Sequence, residues 1–329
     1  MPSSISFGLT LPNRGVSFGA STLKELIDLA IEAEQCGKFQ SIWIGDNLMA
    51  RRRPESIVFL TALASRTTRV RLGIGCMASF PVRNPVALAS QWATLDAIAG
   101  PDRVILAACT GGRRGGGDWR MEERAFGIPE ALRIQRLEEG MQVLRLLWTQ
   151  PKASFQGKYI AFEDVTAEPL PVTKPYPPVW LAVNPRPFGG DGRTIRGAVR
   201  RTARLSDGWM VSRILPTDFS ALWEEILEER MKAGLASDSF DNCLYYNANI
   251  DENEGRAHTE SKRFLDEYYN MDWPDESVQL EVAYGSEGRV QEKIHRYAEA
   301  GVKEITFRLT SYDQRTQFDR LVKVISGLD

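Results

Sequence analysis

Histidine and cysteine are scarce in this chain, and their scarcity limits its chemistry. Its 329 residues include two histidines and four cysteines. A histidine triad or a histidine-rich metal centre is therefore nearly excluded. The cysteines are too scattered for a zinc-binding spacing or a disulfide framework, which favours a reducing cytoplasm. They are Cys36, Cys76, Cys109 and Cys243.

Long apolar runs and an excess of one charge are missing as well. No stretch approaches the ~18 apolar residues of a membrane span, and the first residues lack the basic and apolar segments of a secretory signal. The 41 lysines and arginines nearly balance the 43 aspartates and glutamates. Neither nucleic acid nor a membrane is therefore an expected partner, and we expect a cytoplasmic protein.

Strand-like and helix-like patterns alternate from one end of the chain to the other. Parallel strands joined by right-handed crossovers explain this alternation. Eight such units predict an α/β fold, a (β/α)8 TIM-type barrel with insertion loops at its C-terminal face, formed as a single domain by residues 1–329. The predicted strands are 5–11, 41–45, 70–74, 103–108, 179–183, 208–211, 244–250 and 304–309.

A doubly wound open sheet is the alternative fold. It usually carries a G-x-G-x-x-G loop after its first strand, and residues 12–15 contain none. The barrel interpretation leaves insertions at 113–129, 155–165, 185–193 and 270–285, of which 155–165 reads as a hairpin. Long loops of this kind are often lids.

The segment 70–112 holds the most informative pattern. Two successive strands both end in small residues, where the missing Cβ of glycine lets a ligand touch the main chain. A single such end would indicate a tight turn, whereas two favour a ligand site. The residues are Gly73, Gly75 and Cys76 on one strand and Cys109, Thr110, Gly111 and Gly112 on the next.

In a barrel, the working residues follow the C-terminal ends of the strands. The predicted ring is rich in small residues, amides and hydroxyls, but it lacks a carboxylate cluster, a histidine cluster and a Ser-His pair. Hydrolysis is poorly supported, and a cofactor that brings its own chemistry fits better. The ring comprises Asp46, Asn47, Gly75, Cys76, Met77, Thr110, Gly111, Gly112, Asn184, Ser212, Arg213, Tyr246 or Asn247, Asn249 and Arg308.

Several of these residues also have a purely structural interpretation. Asp46 either caps a turn or serves the ligand site. Arg308 either pairs with a loop carboxylate or orients an anionic substrate. Arg133 either contacts a phosphate or pairs with Glu138 or Glu139. The run 51–53, three arginines, is a solvated loop or meets an anionic substrate or cofactor tail.

The chain resembles the luciferase-like flavin monooxygenases, a family that includes reduced-FMN enzymes and deazaflavin (coenzyme F420) oxidoreductases. The matching segments are AIEAEQCGKFQSIWIGDN, the segment 63–112, LRIQRLEEGMQVLRLLWTQP, FQGKYIAFEDV and RRTARLSDGWM. The resemblance implies a TIM-type barrel with a flavin or deazaflavin at its mouth, and a homodimer.

The resemblance also implies which residues meet the cofactor. A bulge after the third strand, often with a non-prolyl cis peptide, would place Gly75 and Cys76 against the isoalloxazine face. Thr110 and Gly111 would lie near the ring edge or ribityl chain, and Arg133 would reach the phosphate. Other residues implied to border the cofactor are Asp46, Met77, Val183, Asn184, Gly189 and Gly190.

Two departures from the family pattern concern proton transfer. Many members have a histidine where this chain has Asn47, and deazaflavin enzymes commonly have a glutamate where it has Gly112. The departures favour an FMNH2-dependent monooxygenase supplied by a separate reductase, with Asn47 bonding the flavin and Arg308 orienting a small organic substrate. The alternatives are an F420-dependent hydride-transfer enzyme and a non-catalytic flavin-binding protein.

Overall fold

The strands close into a barrel of eight parallel strands, as the sequence predicts. A computed structural model describes residues 5–112, 116–184 and 191–328. The strands are β1 (Ser6–Leu11), β2 (Ser41–Asp46), β3 (Arg71–Met77), β4 (Val104–Ala108), β5 (Ala153–Gln156), β6 (Ala161–Val165), β7 (Val179–Ala182), β8 (Gly208–Val211), β9 (Asp241–Ile250), β10 (Val282–Gly285) and β11 (Glu304–Leu309).

The ring is formed by β1 to β4, β7 to β9 and β11. Its order is β9-β11-β1-β2-β3-β4-β7-β8, and pairing of β8 with β9 closes it. The helices are α1 (Leu23–Gln35), α2 (Ser56–Ala64), α3 (Pro85–Ala99), α4 (Trp119–Phe126), α5 (Arg133–Thr149), α6 (Gly192–Leu205), α7 (Pro216–Lys232), α8 (Glu254–Tyr269), α9 (Asp275–Glu281), α10 (Glu287–Glu299) and α11 (Gln314–Ser326).

Local sequence signals account for where the helices begin. Thr22 caps α1 in a capping box, because its side chain accepts from the Glu25 amide while the Glu25 carboxylate accepts from the Thr22 amide. Asn84 caps α3, which has Pro85 at its first position. These caps satisfy backbone N–H groups that a helix cannot pair internally.

Alternate side chains of each barrel strand point to opposite sides. The outward set packs against the helices in one continuous hydrophobic layer. The inward set is a smaller cluster in which Trp43 and Trp180 lie 5.8 Å apart between ring centroids. Glycines make room for these rings, since a Cβ on Gly73 would overlap Trp43 and one on Gly208 would lie 2.5 Å from Trp180.

Three of the predicted insertions contain regular structure. Within 113–129, the described residues form α4, whose Asp118 cap accepts from the Met121 amide. The segment 270–285 contains α9 and β10, and β10 pairs in parallel with the C-terminal part of β9 outside the closed ring. The predicted hairpin at 155–165 is present as β5 and β6.

None of the described helices combines the length and the apolar character needed to cross a bilayer.

Candidate active site at the carboxyl end of the barrel

Asp46, the last residue of β2, is a buried junction between three chain segments. Its carboxylate accepts hydrogen bonds from the Ser56 hydroxyl and from the Ser79 amide (2.9 Å) and hydroxyl (2.6 Å). It also pairs with Arg83 at 2.9 Å. Burial alone would raise the carboxyl pKa, but Arg83 and these donors outweigh it and hold the pKa below its ordinary value. The carboxylate thus joins β2 to α2 and to the loop after β3.

Asn47 directly follows Asp46 in the chain, but its side chain lacks the hydrogen bonds that Asp46 makes. Only 1% of its surface is exposed, yet neither its amide nitrogen nor its amide oxygen has a hydrogen-bonding partner among the described residues. A buried primary amide left unpaired is costly. Asn47 therefore has donor and acceptor capacity that the described part of the chain does not use.

The end of β3 carries a cis peptide bond between Gly75 and Cys76, which is not a prolyl bond. The pairing of β3 with both neighbouring strands shifts at this point. The bulge that the resemblance implies therefore lies where it was expected. The structure does not bring the Met77 side chain to the mouth, since it packs in the layer between the barrel and its helices.

Cys76 and Cys109 are neighbours at the ends of β3 and β4. A hydrogen bond from the Cys109 thiol lowers the pKa of Cys76, and the same interaction together with burial raises the pKa of Cys109. Next along the chain, Gly111 has a φ of +61°, and a Cβ there would lie 2.6 Å from the Ala78 carbonyl oxygen. Only glycine fits this close approach.

Arg133, the first residue of α5, is buried and paired inside the protein. Its guanidinium lies 2.9 Å from the Glu122 carboxylate and 5.1 Å from the centroid of the Trp119 ring, and it also donates to the Thr110 carbonyl. The other Glu122 oxygen accepts from the Met49 and Ala50 amides. Its Nε is buried and has no hydrogen-bonding partner among the described residues. The predicted phosphate contact of Arg133 thus competes with the internal partners of its two terminal nitrogens.

The β7 end contributes mainly backbone. The Asn184 amide donates to the carbonyls of Ser212 and Arg213 at 2.8 and 2.9 Å, which ties β7 to β8. The Val183 carbonyl accepts from the Trp209 indole. Gly189 and Gly190, which the resemblance places at the cofactor, lie outside the described residues.

Arg308 is buried near the end of β11, with 1% of its surface exposed. Its Nε donates to the Asn247 side-chain oxygen at 2.9 Å, and its guanidinium carbon lies 4.0 Å from the ring centroid of Tyr268. The Tyr269 hydroxyl is a third neighbour at 3.3 Å. Among the described residues, no carboxylate lies within ion-pair distance of Arg308.

Glu281, at the end of α9, is the buried carboxyl on the same side of the mouth. Its carboxylate lies 2.5 Å from Arg213 Nε, and its backbone carbonyl accepts from the Asn247 amide at 3.1 Å. Burial raises the pKa of Glu281 to about 7, against the opposing charges of Arg213 and Arg308. Its protonation therefore changes near neutral pH.

We expect Glu281 to make the free energy of unfolding depend on pH. Because its pKa is higher in the folded protein, its contribution is complete below about pH 4.5 and is lost as the pH rises through about 7. The lost contribution is of the order of 3 kcal/mol. Urea unfolding from pH 5.5 to 8 should show a weaker decline in Glu281→Gln than in the wild type.

The control for this prediction is Glu276→Gln on the same helix, because Glu276 is exposed. That variant should follow the wild-type curve. Parallel pH dependences in the wild type and in Glu281→Gln would contradict the prediction.

Sequence reasoning missed two residues of this site. Glu122 lies in the 113–129 insertion and Glu281 in the 270–285 insertion, and neither follows a barrel strand. The sequence signal that could have indicated Glu122 is Asp118, which caps the start of α4.

Among the described residues, no group of three or more histidine, cysteine or acidic side chains could hold a metal ion.

Comparison of the sequence with known proteins finds relatives that share one name. A relative from Kineococcus radiotolerans, named F420-dependent glucose-6-phosphate dehydrogenase, is 29% identical over 253 residues, covering 73% of this chain and 68% of the relative. Seven further relatives, 23 to 34% identical, have the same name.

Solved structures match over nearly the whole chain. An F420-dependent secondary alcohol dehydrogenase in complex with an F420-acetone adduct superposes with a TM-score of 0.82 at 16% identity, covering 99% of both chains. The monooxygenase RslO1 from Streptomyces bottropensis gives 0.75 at 20% identity, with 98% of this chain and 97% of that chain covered. The profile of the luciferase-like monooxygenases matches residues 5–304. The chain therefore belongs to the luciferase-like monooxygenase family.

Proposed function

We propose that this protein is a coenzyme F420-dependent oxidoreductase that transfers a hydride between the deazaflavin and a small organic substrate. The family and the relatives show that the protein is an enzyme of the luciferase-like oxidoreductase kind. The cofactor and the hydride transfer are what is proposed. The choice of F420 over FMN rests on the name that the relatives share, and it reverses the order that the sequence alone favoured.

The main support for a cofactor with a flat ring is the amide of Asn47, which has no partner among the described residues and lies beside the Gly75–Cys76 cis peptide. Asp46 pairs in register with Met77, so Asn47 follows β2 next to the end of β3. A heterocycle with both carbonyl and N–H groups fits a donor and an acceptor that have no internal partner. The residues present therefore fit an isoalloxazine-type ring.

The chain's own residues then have separate tasks. When bound, a deazaflavin supplies two-electron hydride chemistry. Asn47 would hold the ring by hydrogen bonds, and the main chain at Gly75 and Cys76 would face it. An amide cannot take up a proton near neutral pH, so Asn47 orients without exchanging one. Glu281, whose pKa is about 7, is a residue at the mouth that can exchange a proton there.

An FMNH2-dependent monooxygenase is the second candidate function. Asn47 in place of the family's usual histidine favours it, because such a site lacks the standard group for proton transfer in hydride chemistry. The likeness to a monooxygenase fold is compatible with it. A homodimer and a separate flavin reductase remain predictions from the family resemblance.

The deciding experiment is a fluorescence titration of the purified protein with F420 and with FMN. We expect F420 to bind at least ten-fold more tightly. Its visible absorbance should fall when a reactive alcohol is added, and the absorbance of reduced F420 should rise when a reactive carbonyl compound is added. Asn47→Leu should weaken F420 binding about ten-fold, equivalent to ~1.4 kcal/mol. The same variant should leave the ligand-free protein as stable or more stable, since it removes an unpaired buried amide.

Tighter binding of FMN, with oxygenation of a substrate by the reduced protein and O2, would contradict the proposal and establish the second candidate. Unchanged F420 binding in Asn47→Leu would show that the amide has no part in holding the ring.

A further inference from the structure

Four arginines meet at one side of the barrel mouth without an acidic partner. This arginine cluster consists of Arg14, Arg51, Arg53 and Arg308. Among the described residues, no aspartate or glutamate lies within 4.0 Å of any of these guanidinium groups. Like charges gathered away from water repel one another strongly.

Two adjacent tyrosines at the end of α8 hold the cluster together. The guanidinium carbons of Arg308 and Arg53 lie 4.0 and 5.7 Å from the ring centroid of Tyr268. That of Arg51 lies 5.0 Å from the Tyr269 ring. Arg14 donates to the Tyr268 backbone carbonyl. Ring faces stabilise cations, but less than an anion does.

The cluster differs from the other buried arginines of the protein. Arg83, Arg133 and Arg213 each pair with a buried or half-buried carboxylate. Arg103 and Arg230 have no carboxylate partner within the described ranges, but each donates to several backbone carbonyls.

Some hydrogen-bond donors of the cluster are not used. The Nε atoms of Arg14 and Arg53 are buried and have no hydrogen-bonding partner among the described residues. Burial and the repulsion of neighbouring arginines lower the pKa of Arg14 to about 10, and burial lowers that of Arg51 to about 10 as well. Charge and donors are both in excess here.

We propose that the arginine cluster is a subsite for an anionic group of the substrate, a carboxylate or a phosphate. The proposal deepens the proposed function by naming a substrate class. Bidentate guanidinium donors match the geometry of both groups. An anion would supply the missing counter-charge and accept from the unused Nε atoms.

The position of the cluster favours the substrate over the cofactor as the source of the anion. Arg308 lies on β11, and the Arg53 guanidinium rests against Gly45 of β2, where a Cβ would overlap it. Most residues expected to border the cofactor lie on the β3, β4 and β7 side of the ring, and Asp46 and Asn47 at the end of β2 lie between that side and β11. Arg308 on β11 and Arg14 after β1 are therefore separated from the β3, β4 and β7 residues by the end of β2.

The test measures thermal stability in phosphate against chloride at equal ionic strength, first with no cofactor present. We expect phosphate to raise the Tm of the wild type, and Arg308→Gln and Arg53→Gln to weaken the apparent phosphate affinity at least ten-fold. Arg52→Gln is the matched control, because Arg52 lies between two members of the cluster but is exposed. It should retain the wild-type response.

Arg53→Gln keeps the test decisive if Arg308→Gln does not fold, because Arg53 is only half-buried. Equal responses in all three variants, or none in the wild type, would overturn the anion subsite. The proposal would also be overturned if the wild type showed tyrosinate absorbance at neutral pH that Arg308→Gln abolishes, while phosphate had no effect on the Tm. In that case the arginines would stabilise a Tyr268 phenolate.

A second arm repeats the titration with saturating F420. Retention of the phosphate response assigns the anion to the substrate, whereas its loss assigns the cluster to the cofactor's own acidic groups and overturns the proposal. The first arm contains no cofactor, so it tests the anion subsite independently of F420. A failure to bind F420 would reject the proposed function, and the first arm would still decide whether the subsite exists.

Discussion

Replacing Asp46 by alanine should lower the free energy of unfolding by about 3–5 kcal/mol, the usual cost of removing one partner of a buried ion pair. Asp46 is fully inaccessible at its side chain, and its removal takes the buried carboxylate partner from Arg83 and the acceptor from two serine hydroxyls. Asp46→Asn keeps the shape but not the charge, so a smaller loss is expected. Urea unfolding at pH 7 measures both.

Glu55→Gln is the matched control for the Asp46 variants. Glu55 also pairs with Arg83, at 2.7 Å, but its side chain is 35% exposed. Partly exposed pairs contribute little, so a loss below about 1 kcal/mol is expected. If Asp46→Ala and Glu55→Gln cost the same, the carboxylate is not the junction that its four contacts indicate.

This prediction also bears on how the mouth is built. Asp46 was expected to cap a turn or to touch the cofactor, and its oxygens are engaged by Ser56, Ser79 and Arg83. An effect of Asp46 variants on cofactor binding would then act through the loop after β3, which carries the Gly75–Cys76 bond. Cofactor affinity should fall in step with stability.

The barrel could be predicted because its strands are short apolar runs that end in small or polar residues. Outward side chains such as Leu9 and Ile44 and inward ones such as Trp43 are all buried, so each strand reads as an almost continuous apolar segment. The C-terminal ends of parallel strands meet at one face, and this rule predicted that Asn47, Gly75 and Arg308 lie there without any knowledge of contacts.

The insertions could not be predicted in the same way. The helix α4 is eight residues long and rich in charge, and it is held by one buried ion pair with α5. The strand β10 forms because β9 is long enough to pair with β8 along its first half and with β10 along its second. Neither interaction leaves a periodic pattern in the sequence.

The arginine cluster illustrates a further limit. The run 51–53 was read as a solvated loop or an anion contact, and the sequence offered no reason to join it to Arg14, Arg308 or Tyr268. Those residues come together only because β1, β2 and β11 are neighbours in the closed ring. The order of the strands thus creates electrostatic sites that local patterns do not contain.

Glu122→Gln should be the second strongly destabilising change, by about 3–5 kcal/mol, because it leaves the Arg133 guanidinium buried without a counter-charge. Two backbone amides would also lose a charged acceptor. Arg120→Gln on the same helix is the control, since Arg120 is exposed and should change stability by less than about 0.5 kcal/mol. Urea unfolding measures all of them.

The double variant separates the two roles that Arg133 can have. If the pair is structural, Arg133→Met combined with Glu122→Gln should cost less than the sum of the single changes, because no charge then stays buried alone. Cofactor affinity in the double variant should be nearly that of the wild type. A small loss of stability in Glu122→Gln, together with ten-fold weaker cofactor binding in Arg133→Met, would instead place the guanidinium on the cofactor phosphate, as the family resemblance implies.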